Sequence, residues 1–193
     1  MKSLLKFLFY FFNWNRIHSS LLLTPFEKRD RIRYFAKSVG AVNFVETGSY
    51  HGDTSKALAD IVNHVVTIEI DESNAAVAIQ NCANMPNVKV HCGPSEDILP
   101  IAISDLAGPT LFWLDAHYQT GMTRGSKRCP LFAELEIIFD KPEISPTILI
   151  DDARKFIWIN GWPSLRSIQL FAEKRGYSFR VSHDMICLGK FSM

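Results

Sequence analysis

The sequence lacks a hydrophobic run long enough to cross a membrane. Its extended apolar stretch, residues 1–12, is interrupted by Lys6 and followed by Asn13, whereas a transmembrane helix needs about 20 apolar residues. Residues 13–16, which read Asn-Trp-Asn-Arg, also lack the small residues of a signal-peptide cleavage site. We therefore expect neither a membrane span nor secretion.

Cysteine is scarce, and no two cysteines form a C-x-x-C pair. This pattern excludes a disulfide-rich scaffold and a zinc ribbon, and it favours a reducing compartment, the cytoplasm. The four cysteines are scattered at Cys82, Cys92, Cys129 and Cys187.

The chain has no large excess of charge of either sign. Its formal net charge of +1 argues against a general nucleic-acid binder. Residues 1–40 nevertheless contain 8 Lys/Arg and 2 Asp/Glu, whereas residues 41–193 contain 13 and 18. We divide the chain there into a basic, aromatic, helical N-terminal segment (1–40) and a globular domain (41–193). Residues 1–20 either contact the inner face of a membrane peripherally or form a helix packed on the domain.

From residue 40 onward, short apolar or β-branched runs alternate with helical patterns. This alternation predicts a Rossmann-like α/β fold of three layers, α/β/α, with a doubly wound, mostly parallel seven-stranded sheet. The last two strands are too close for a crossover helix, so we expect an antiparallel hairpin at the sheet edge. The predicted strands are Asn43–Thr47, Val65–Ile70, Val88–Cys92, Thr110–Asp115, Pro146–Asp151, Tyr177–Ser182 and Met185–Gly189.

The helices between these strands are predicted from their apolar periodicity. In the second of them we expect Ala76, Val77 and Ile79 to face inward. The predicted helices are Thr54–Val62, Ser73–Asn84, Ser95–Leu106, Leu131–Phe139 and Pro163–Lys174.

Polar residues close the predicted parallel strands. In open α/β sheets, ligands bind outside the carboxyl ends of the strands, so these residues indicate one acidic crevice. Each carboxylate taken alone has the alternative of capping the following helix. The residues are Glu46, Glu69, Asp115, Asp151 and Asp152, together with the run Gly93-Pro94-Ser95-Glu96-Asp97.

The first strand is followed by a turn with the spacing G-x-x-x-G, at Gly48 and Gly52. Glycine there lets the backbone turn sharply and approach a ligand, although the spacing differs from the G-x-G-x-x-G dinucleotide motif. Glu69 ends the next strand about twenty residues on, where a carboxylate can accept both hydrogen bonds of a ribose diol. Asp71 is the rival acceptor, but a helix N-cap role suits it better.

The ordered motifs together resemble those of class I S-adenosylmethionine (SAM)-dependent methyltransferases. The similarity covers about residues 41–189 and is greatest to metal-dependent O-methyltransferases of the catechol and macrocin type. The motifs are Glu46-x-Gly48-x-Tyr50-x-Gly52-x-Thr54, then Thr67-Ile68-Glu69-Ile70-Asp71, Gly93-Pro94-Ser95-Glu96-Asp97, Leu114-Asp115 and Ile150-Asp151-Asp152.

The resemblance implies a set of SAM-binding residues. Glu46, Gly48, Tyr50, Gly52 and Thr54 would surround the methionine part of SAM. Glu69 would hold the ribose hydroxyls, and Ser95 and Glu96 would flank the adenine.

The resemblance also implies a divalent metal, Mg²⁺ or alternatively Mn²⁺ or Ca²⁺, at Asp115, Asp151 and Asp152. Asp152 stands where the family more often has Asn. A cation bound there would lower the pKa of a substrate hydroxyl, which makes Asp115 a catalytic residue as well. The alternative is that Asp151 or Asp152 caps the next segment or pairs with Arg154.

The general base is expected to be His117, because it follows Asp115 on the loop where substrate should enter. The catechol enzymes use a lysine further along this loop, so the sequence departs from them here, and His51 is a second option. Tyr118, Arg124 and Arg128 are expected to bind substrate, with Lys127 beside them.

Two residues are expected to have structural roles, and each has an alternative. Trp113 should pack in the core, with a position lining a pocket as the alternative. Glu134 should be an exposed acid in the first turn of its helix, with a position facing the site as the alternative.

These observations predict a metal-assisted O-methyltransferase that acts on a hydroxyl of a small molecule, sugar or glycan and not on nucleic acid. The alternatives are a metal-independent methyltransferase with His117 as base, a non-catalytic nucleotide-binding partner module and a metal-dependent hydrolase. The oligomeric state is not predicted.

Overall fold

The computed structural model describes residues 22–116, 129–158 and 162–190. Seven strands form one sheet in the order β3-β2-β1-β4-β5-β7-β6. The strands are β1 (Asn43–Thr47), β2 (His64–Glu69), β3 (Val88–Cys92), β4 (Thr110–Leu114), β5 (Pro146–Ile150), β6 (Ser178–Ser182) and β7 (Met185–Gly189).

The first five strands are parallel, and β7 runs antiparallel to both β5 and β6. The predicted fold class is therefore confirmed, including the hairpin at the edge. Strand β1 lies at the centre, with Thr47 opposite Ile68 of β2 and Leu114 of β4. This register brings the carboxyl ends of three neighbouring strands to one edge of the sheet.

Helices connect the strands close to the predicted positions, with ends that differ by a few residues. The α-helices in the described ranges are α1 (Pro25–Ser38), α2 (Asp53–Leu58), α3 (Glu72–Cys82), α4 (Ser95–Ala102), α5 (Leu131–Phe139) and α6 (Leu165–Glu173).

Each face of the sheet has its own hydrophobic core. On one face, α4, α5 and α6 pack against residues such as Val45 and Leu114. On the other face, α1 contributes Ile32 and Ala36 to a cluster with Phe44 and Trp113. Trp113 is 2% exposed, so its predicted core position is confirmed. Residues 1–20 lie outside the described ranges, and the domain boundary at residue 40 stays a prediction.

The inward face predicted for α3 is wrong. The buried residues are Ala75, Ala78 and Cys82, whereas Ile79 is 53% exposed. The reason is the close approach of Gly52, whose added Cβ would lie 3.3 Å from the Cβ of Ala78 and 3.2 Å from the Sγ of Cys82. Only small side chains fit beneath the turn, so the larger ones point outward. The residues expected inward but found outside are Ala76, Val77 and Ile79.

No helix within the described ranges is both long enough and apolar enough to span a bilayer.

Candidate functional site

The turn after β1 is built on residues with positive φ. Gly48 has φ of 88° and Gly52 has φ of 81°, and both fit glycine, which reaches this region without a Cβ clash. Gly48 also lies against β4, because an added Cβ would be 2.6 Å from the carbonyl oxygen of Asp115. Tyr50, between the two glycines, has φ of 48° and is 58% exposed. The result is a tight, open turn at the carboxyl end of the central strand.

Glu69 links this turn to β2 through hydrogen bonds of its carboxylate. Its Oε2 accepts a hydrogen bond from the backbone N–H of Tyr50 at 2.7 Å, and its Oε1 accepts one from the N–H of Asp71 at 3.0 Å. An ionised carboxylate has about four acceptor positions, so two remain after these contacts. Asp71 is the N-cap of α3 and accepts from the N–H of Asn74 at 2.9 Å. The N-cap role predicted for Asp71 is confirmed, and the acceptor positions left on Glu69 fit a ribose diol.

Glu46 places a buried carboxyl group near the carboxyl end of β1. It is 1% exposed, and its Oε2 accepts hydrogen bonds from the hydroxyls of Ser55 at 2.7 Å and Thr67 at 2.8 Å. Burial raises the pKa of Glu46 to about 7, although the hydroxyls of Ser55, Thr67 and Thr54 oppose that rise. Its described partners are protein hydroxyls, and direct contact with a cofactor stays a prediction for Glu46 and Thr54.

Ser95 begins α4 directly after Gly93 and Pro94, and it is buried, whereas Glu96 is half-buried. The turn joins β2, because the N–H of Gly93 donates to the carbonyl of Glu69 at 2.9 Å. Ser95 and Glu96 therefore lie close to the end of β2, and their role in flanking the adenine stays a prediction.

Glu134 is buried, which makes the expected exposed position wrong. It is 1% exposed on α5, and the hydroxyls of Ser95 and Thr47 face its carboxyl group. Burial raises the pKa of Glu134 to about 7. Within the described residues, its Oε1 and the Oγ1 of Thr47 have no hydrogen-bond partner. Glu134 and Thr47 thus each carry one unsatisfied polar atom within the described part of the chain.

A signal for this burial was present in the sequence. Glu134 lies three residues after Leu131 and four before Ile138, on the stripe of α5 that packs in the core. Helix periodicity therefore places it with the buried residues, against the general tendency of glutamate toward the surface.

The structure brings Asp115, Asp151 and Asp152 together at the ends of β4 and β5, where they are in electrostatic contact. Burial, then the neighbouring Asp151 and Asp152, raise the pKa of Asp115 to about 8, and Lys28 opposes the rise. The three carboxyl groups therefore do not carry three equal charges, because burial and the neighbouring aspartates, which raise the pKa of Asp115, favour its protonated form.

Basic side chains pair with the other two aspartates. The Nζ of Lys28, on α1, donates to both carboxylate oxygens of Asp151 at 2.9 and 2.6 Å. Asp152 pairs with the Nη2 of Arg154 at 2.8 Å and with the Nζ of Lys155 at 2.5 Å. Burial works against the ionisation of Asp152, yet Lys155 and Arg154 lower its pKa on balance.

These ion pairs do not fit the metal site that the resemblance implies. A divalent cation would have to compete for these carboxylate oxygens, because each oxygen of Asp151 and of Asp152 already pairs with a cationic side chain. Over residues 22–116, 129–158 and 162–190, no group of three His, Cys, Asp or Glu side chains is arranged to hold a metal ion. The alternative pairing of Asp152 with Arg154 is the one observed.

The turn between β6 and β7 fixes the backbone after β5. Asp184 is 4% exposed and accepts a hydrogen bond from the backbone N–H of Arg154 at 2.8 Å. It also forms an ion pair with the Arg154 guanidinium. Asp152, just before this segment, has φ of 53°. The hairpin therefore helps to position the residue pair at the end of β5.

The predicted residues of the loop after β4 lie outside the described residues. This applies to the proposed base, His117, and to the proposed substrate-binding residues. The other base option, His51, stacks on Tyr50 with ring centroids 3.8 Å apart. The predicted site residues of this loop, all outside the described ranges, are His117, Tyr118, Arg124, Lys127 and Arg128.

No protein-family model and no curated protein matches the sequence. Solved structures do match. The O-methyltransferase TomG from Streptomyces achromogenes, in complex with SAM, shares 18% identity, with a TM-score of 0.61 over 86% of this chain and 80% of that one.

Two further matches have similar values. The O-methyltransferase from Bacillus cereus, in complex with S-adenosylhomocysteine (SAH), shares 19% identity, with a TM-score of 0.62 over 97% of this chain and 90% of that one. The SAH-bound methyltransferase PaMTH1 from Podospora anserina shares 15% identity, with a TM-score of 0.61 over 96% of this chain and 88% of that one. The chain thus has the fold of these methyltransferases.

Proposed function

We propose that the protein is a SAM-dependent methyltransferase that transfers a methyl group to an oxygen atom. The observation that carries the proposal is the position of Glu69. This carboxylate ends β2, accepts a hydrogen bond from the Tyr50 N–H at 2.7 Å and keeps acceptor positions beside the glycine turn. A carboxylate at this place can accept hydrogen bonds from a ribose diol.

The fold neighbours support the same cofactor. The titles of the Streptomyces and Bacillus structures describe O-methyltransferases with SAM and SAH, respectively. Because identity is below 20%, this likeness supports the proposal through the fold, and the choice of SAM rests on the residues of this chain.

Different parts of the cofactor would contact different described residues. Gly48 and Gly52 would leave room for the methionine part against the turn, and Glu69 would accept hydrogen bonds from the ribose hydroxyls. Ser95 and Glu96 would flank the adenine, and the carboxyl group of Glu134, with its unsatisfied Oε1, lies next to Ser95. The cofactor would supply the methyl group from its sulfonium sulfur to the acceptor oxygen and would leave as SAH.

The protein must orient the acceptor oxygen and take its proton. Such positioning can contribute roughly 7–11 kcal/mol to a two-reactant step. We propose His117 as the proton acceptor, because it follows the end of β4 by three residues. Asp115, whose pKa burial and the neighbouring aspartates raise to about 8, is a second group that we propose to accept the proton once it is ionised, at mildly alkaline pH.

No step of this proposal uses a metal ion, because the ion pairs of Asp151 and Asp152 do not fit one. Metal-assisted transfer with Mg²⁺ is the competing mechanism. It predicts that a chelator abolishes turnover, whereas direct base catalysis predicts turnover that is unchanged.

For the acceptor we propose a hydroxyl of a small molecule, sugar or glycan. Contact of residues 1–20 with the inner face of a membrane is the corresponding proposal for the N-terminal segment. Deleting residues 1–20 and measuring partition onto anionic vesicles tests it, and unchanged partition would reject it.

Isothermal titration with SAH tests the proposed cofactor. We expect wild type to bind, and Glu69→Gln to bind at least tenfold more weakly, a loss of about 1.4 kcal/mol. Asp71→Asn is the matched control, because it retains the N-cap oxygen and tests the rival acceptor. Failure of wild type to bind SAH would reject the proposal, and a larger loss in Asp71→Asn would transfer the ribose role to Asp71.

A further inference from the structure

The Asp151 carboxylate, just after β5, is paired with a side chain from a distant part of the sequence. Lys28 and Asp151 are 123 residues apart in the chain, yet the Lys28 Nζ is 2.9 and 2.6 Å from the two carboxylate oxygens. The side chains are 24% and 5% exposed, respectively. The same Nζ lies 6.0 Å from the centroid of the Trp113 ring, within range of a cation–π interaction.

The position of Lys28 follows from the face of α1 that is buried. Ile32 and Ala36 are 1% and 0% exposed, and Lys28 lies four residues before Ile32 on the same face. The helix begins at a capping box, in which Thr24 accepts from the N–H of Glu27 and Glu27 accepts from the N–H of Thr24. Packing of this face therefore directs the first turn of α1 toward the ends of β4 and β5.

A divalent cation at this place would have to displace existing bonds. Besides Lys28, the Oδ1 of Asp151 accepts from the backbone N–H of Asp152 at 2.7 Å. Magnesium and manganese bind oxygen atoms at about 2.0–2.2 Å with nearly octahedral geometry. An ammonium group already located between the oxygens excludes an ion from that position by charge and by volume.

We propose that the Lys28 ammonium group occupies the cation position of the crevice, so that an internal positive charge replaces a divalent metal beside Asp151. Lys28 is then a positioning residue, because both oxygens of the Asp151 carboxylate accept hydrogen bonds from its ammonium group. The role of this crevice in catalysis rests on the proposed function, but the occupancy of the cation position does not.

Removing the ammonium group should create a metal site. Without it, the two oxygens of the buried Asp151 carboxylate lose the ammonium group that lies 2.9 and 2.6 Å from them, and removing one partner of a buried ion pair is strongly unfavourable. Lys28→Met keeps the length of the apolar stem and removes only the charge. We therefore expect this variant to bind Mn²⁺ at least tenfold more tightly than wild type, read from the electron paramagnetic resonance signal of free Mn²⁺.

Three control variants assign the gained binding. The double variant Lys28→Met with Asp151→Asn should lose it, because the carboxylate is gone. Lys37→Met, at an exposed lysine in the last turn of the same helix, should bind Mn²⁺ no better than wild type. Lys28→Arg should also remain at the wild-type level, because it restores a cation.

Wild type alone can overturn the proposal, even if Lys28→Met fails to fold. Saturable Mn²⁺ binding by wild type that disappears in Asp151→Asn would show that the position admits a metal beside Lys28. A folded Lys28→Met variant without increased Mn²⁺ affinity would overturn it as well. SAH titration of the same samples reports separately on the proposed function.

Discussion

Gly48 and Asp115 are in backbone contact: a Cβ added to Gly48 would lie 2.6 Å from the carbonyl oxygen of Asp115. The carbonyl cannot retreat easily, because the N–H of Asp115 donates to the carbonyl of Thr47 at 2.8 Å. The turn that is proposed to receive SAM and the strand end that carries Asp115 are therefore fixed relative to each other. One glycine sets the distance between the two halves of the candidate site.

Gly48→Ala should destabilise the protein and weaken SAH binding. The substitution combines an unfavourable φ, which costs roughly 1–2 kcal/mol, with a clash against fixed backbone. Gly176→Ala is the matched control, because Gly176 has φ of 76° and no atom within 4 Å of an added Cβ. We expect a clearly larger loss of unfolding free energy in urea for Gly48→Ala. Equal losses would show that the contact with Asp115 is unimportant.

Glu134→Gln should stabilise the protein most at neutral and alkaline pH. Burial raises the pKa of Glu134 from 4.5 to about 7, so the folded state holds a proton that the unfolded chain has released. The neutral form of Glu134 favours the folded state, so the free energy of unfolding falls as pH rises from about 4.5 to about 7. The amide does not ionise and avoids this loss.

Melting temperatures measured from pH 4.5 to 8.5 check this prediction. The difference between Glu134→Gln and wild type should grow up to about pH 7 and then level off. Glu136→Gln, at an exposed position of the same helix, should show no such trend. A difference that is constant with pH would mean that Glu134 is already ionised in the folded protein.

The order of elements could be predicted from the sequence because it depends on local periodicity, and the positions of β1, β3, β7 and α5 agree residue for residue. The face of α3 could not. Its apolar residues occur on more than one side, and the choice between sides depends on the contact of Gly52 with Ala78 and Cys82. That contact joins a turn and a helix, and neither segment reveals it alone.

The residues of the candidate site also differ in whether the sequence could predict them. Glu69 was recognisable because it ends a strand at a fixed interval after the glycine turn. Lys28 was not, since its partner Asp151 is 123 residues away and no spacing rule connects α1 with β5. The resemblance supplied an expectation of metal ligands, but it contained no information on a counter-ion that enters from another element.

Ile32→Ala should destabilise the whole fold, although Ile32 lies in the segment before residue 40. Ile32 is 1% exposed and packs in the cluster that contains Phe44, Leu58 and Trp113. Truncation of a buried isoleucine costs about 2–5 kcal/mol. Chemical denaturation should show this loss, whereas Tyr34→Ala, at a side chain 68% exposed on the same helix, should change stability little. A small effect of Ile32→Ala would indicate that α1 docks only weakly.

Asp184→Ala should loosen the backbone after β5. The buried carboxylate accepts from the backbone N–H of Arg154 and pairs with its guanidinium, and loss of a buried hydrogen-bond partner costs about 1–3 kcal/mol. Faster amide hydrogen exchange at residues 153–155 is the expected readout. Asp184→Asn keeps an acceptor oxygen, and asparagine tolerates the φ of 62° at position 184. This variant should therefore retain most of the protection of these amides against exchange. Equal exchange in both variants would assign the effect to charge alone.

Chelation should leave the wild-type protein unchanged. Lys28 neutralises Asp151, and Arg154 with Lys155 neutralises Asp152, so the crevice needs no divalent cation for charge balance. We therefore expect the same melting temperature and the same SAH affinity after dialysis against EDTA as before it. Added Mg²⁺ should also have no effect, because a ligand stabilises a protein only by binding its folded state. A melting temperature that falls on chelation and recovers with Mg²⁺, but shows neither change in Asp151→Asn, would restore the metal-assisted mechanism.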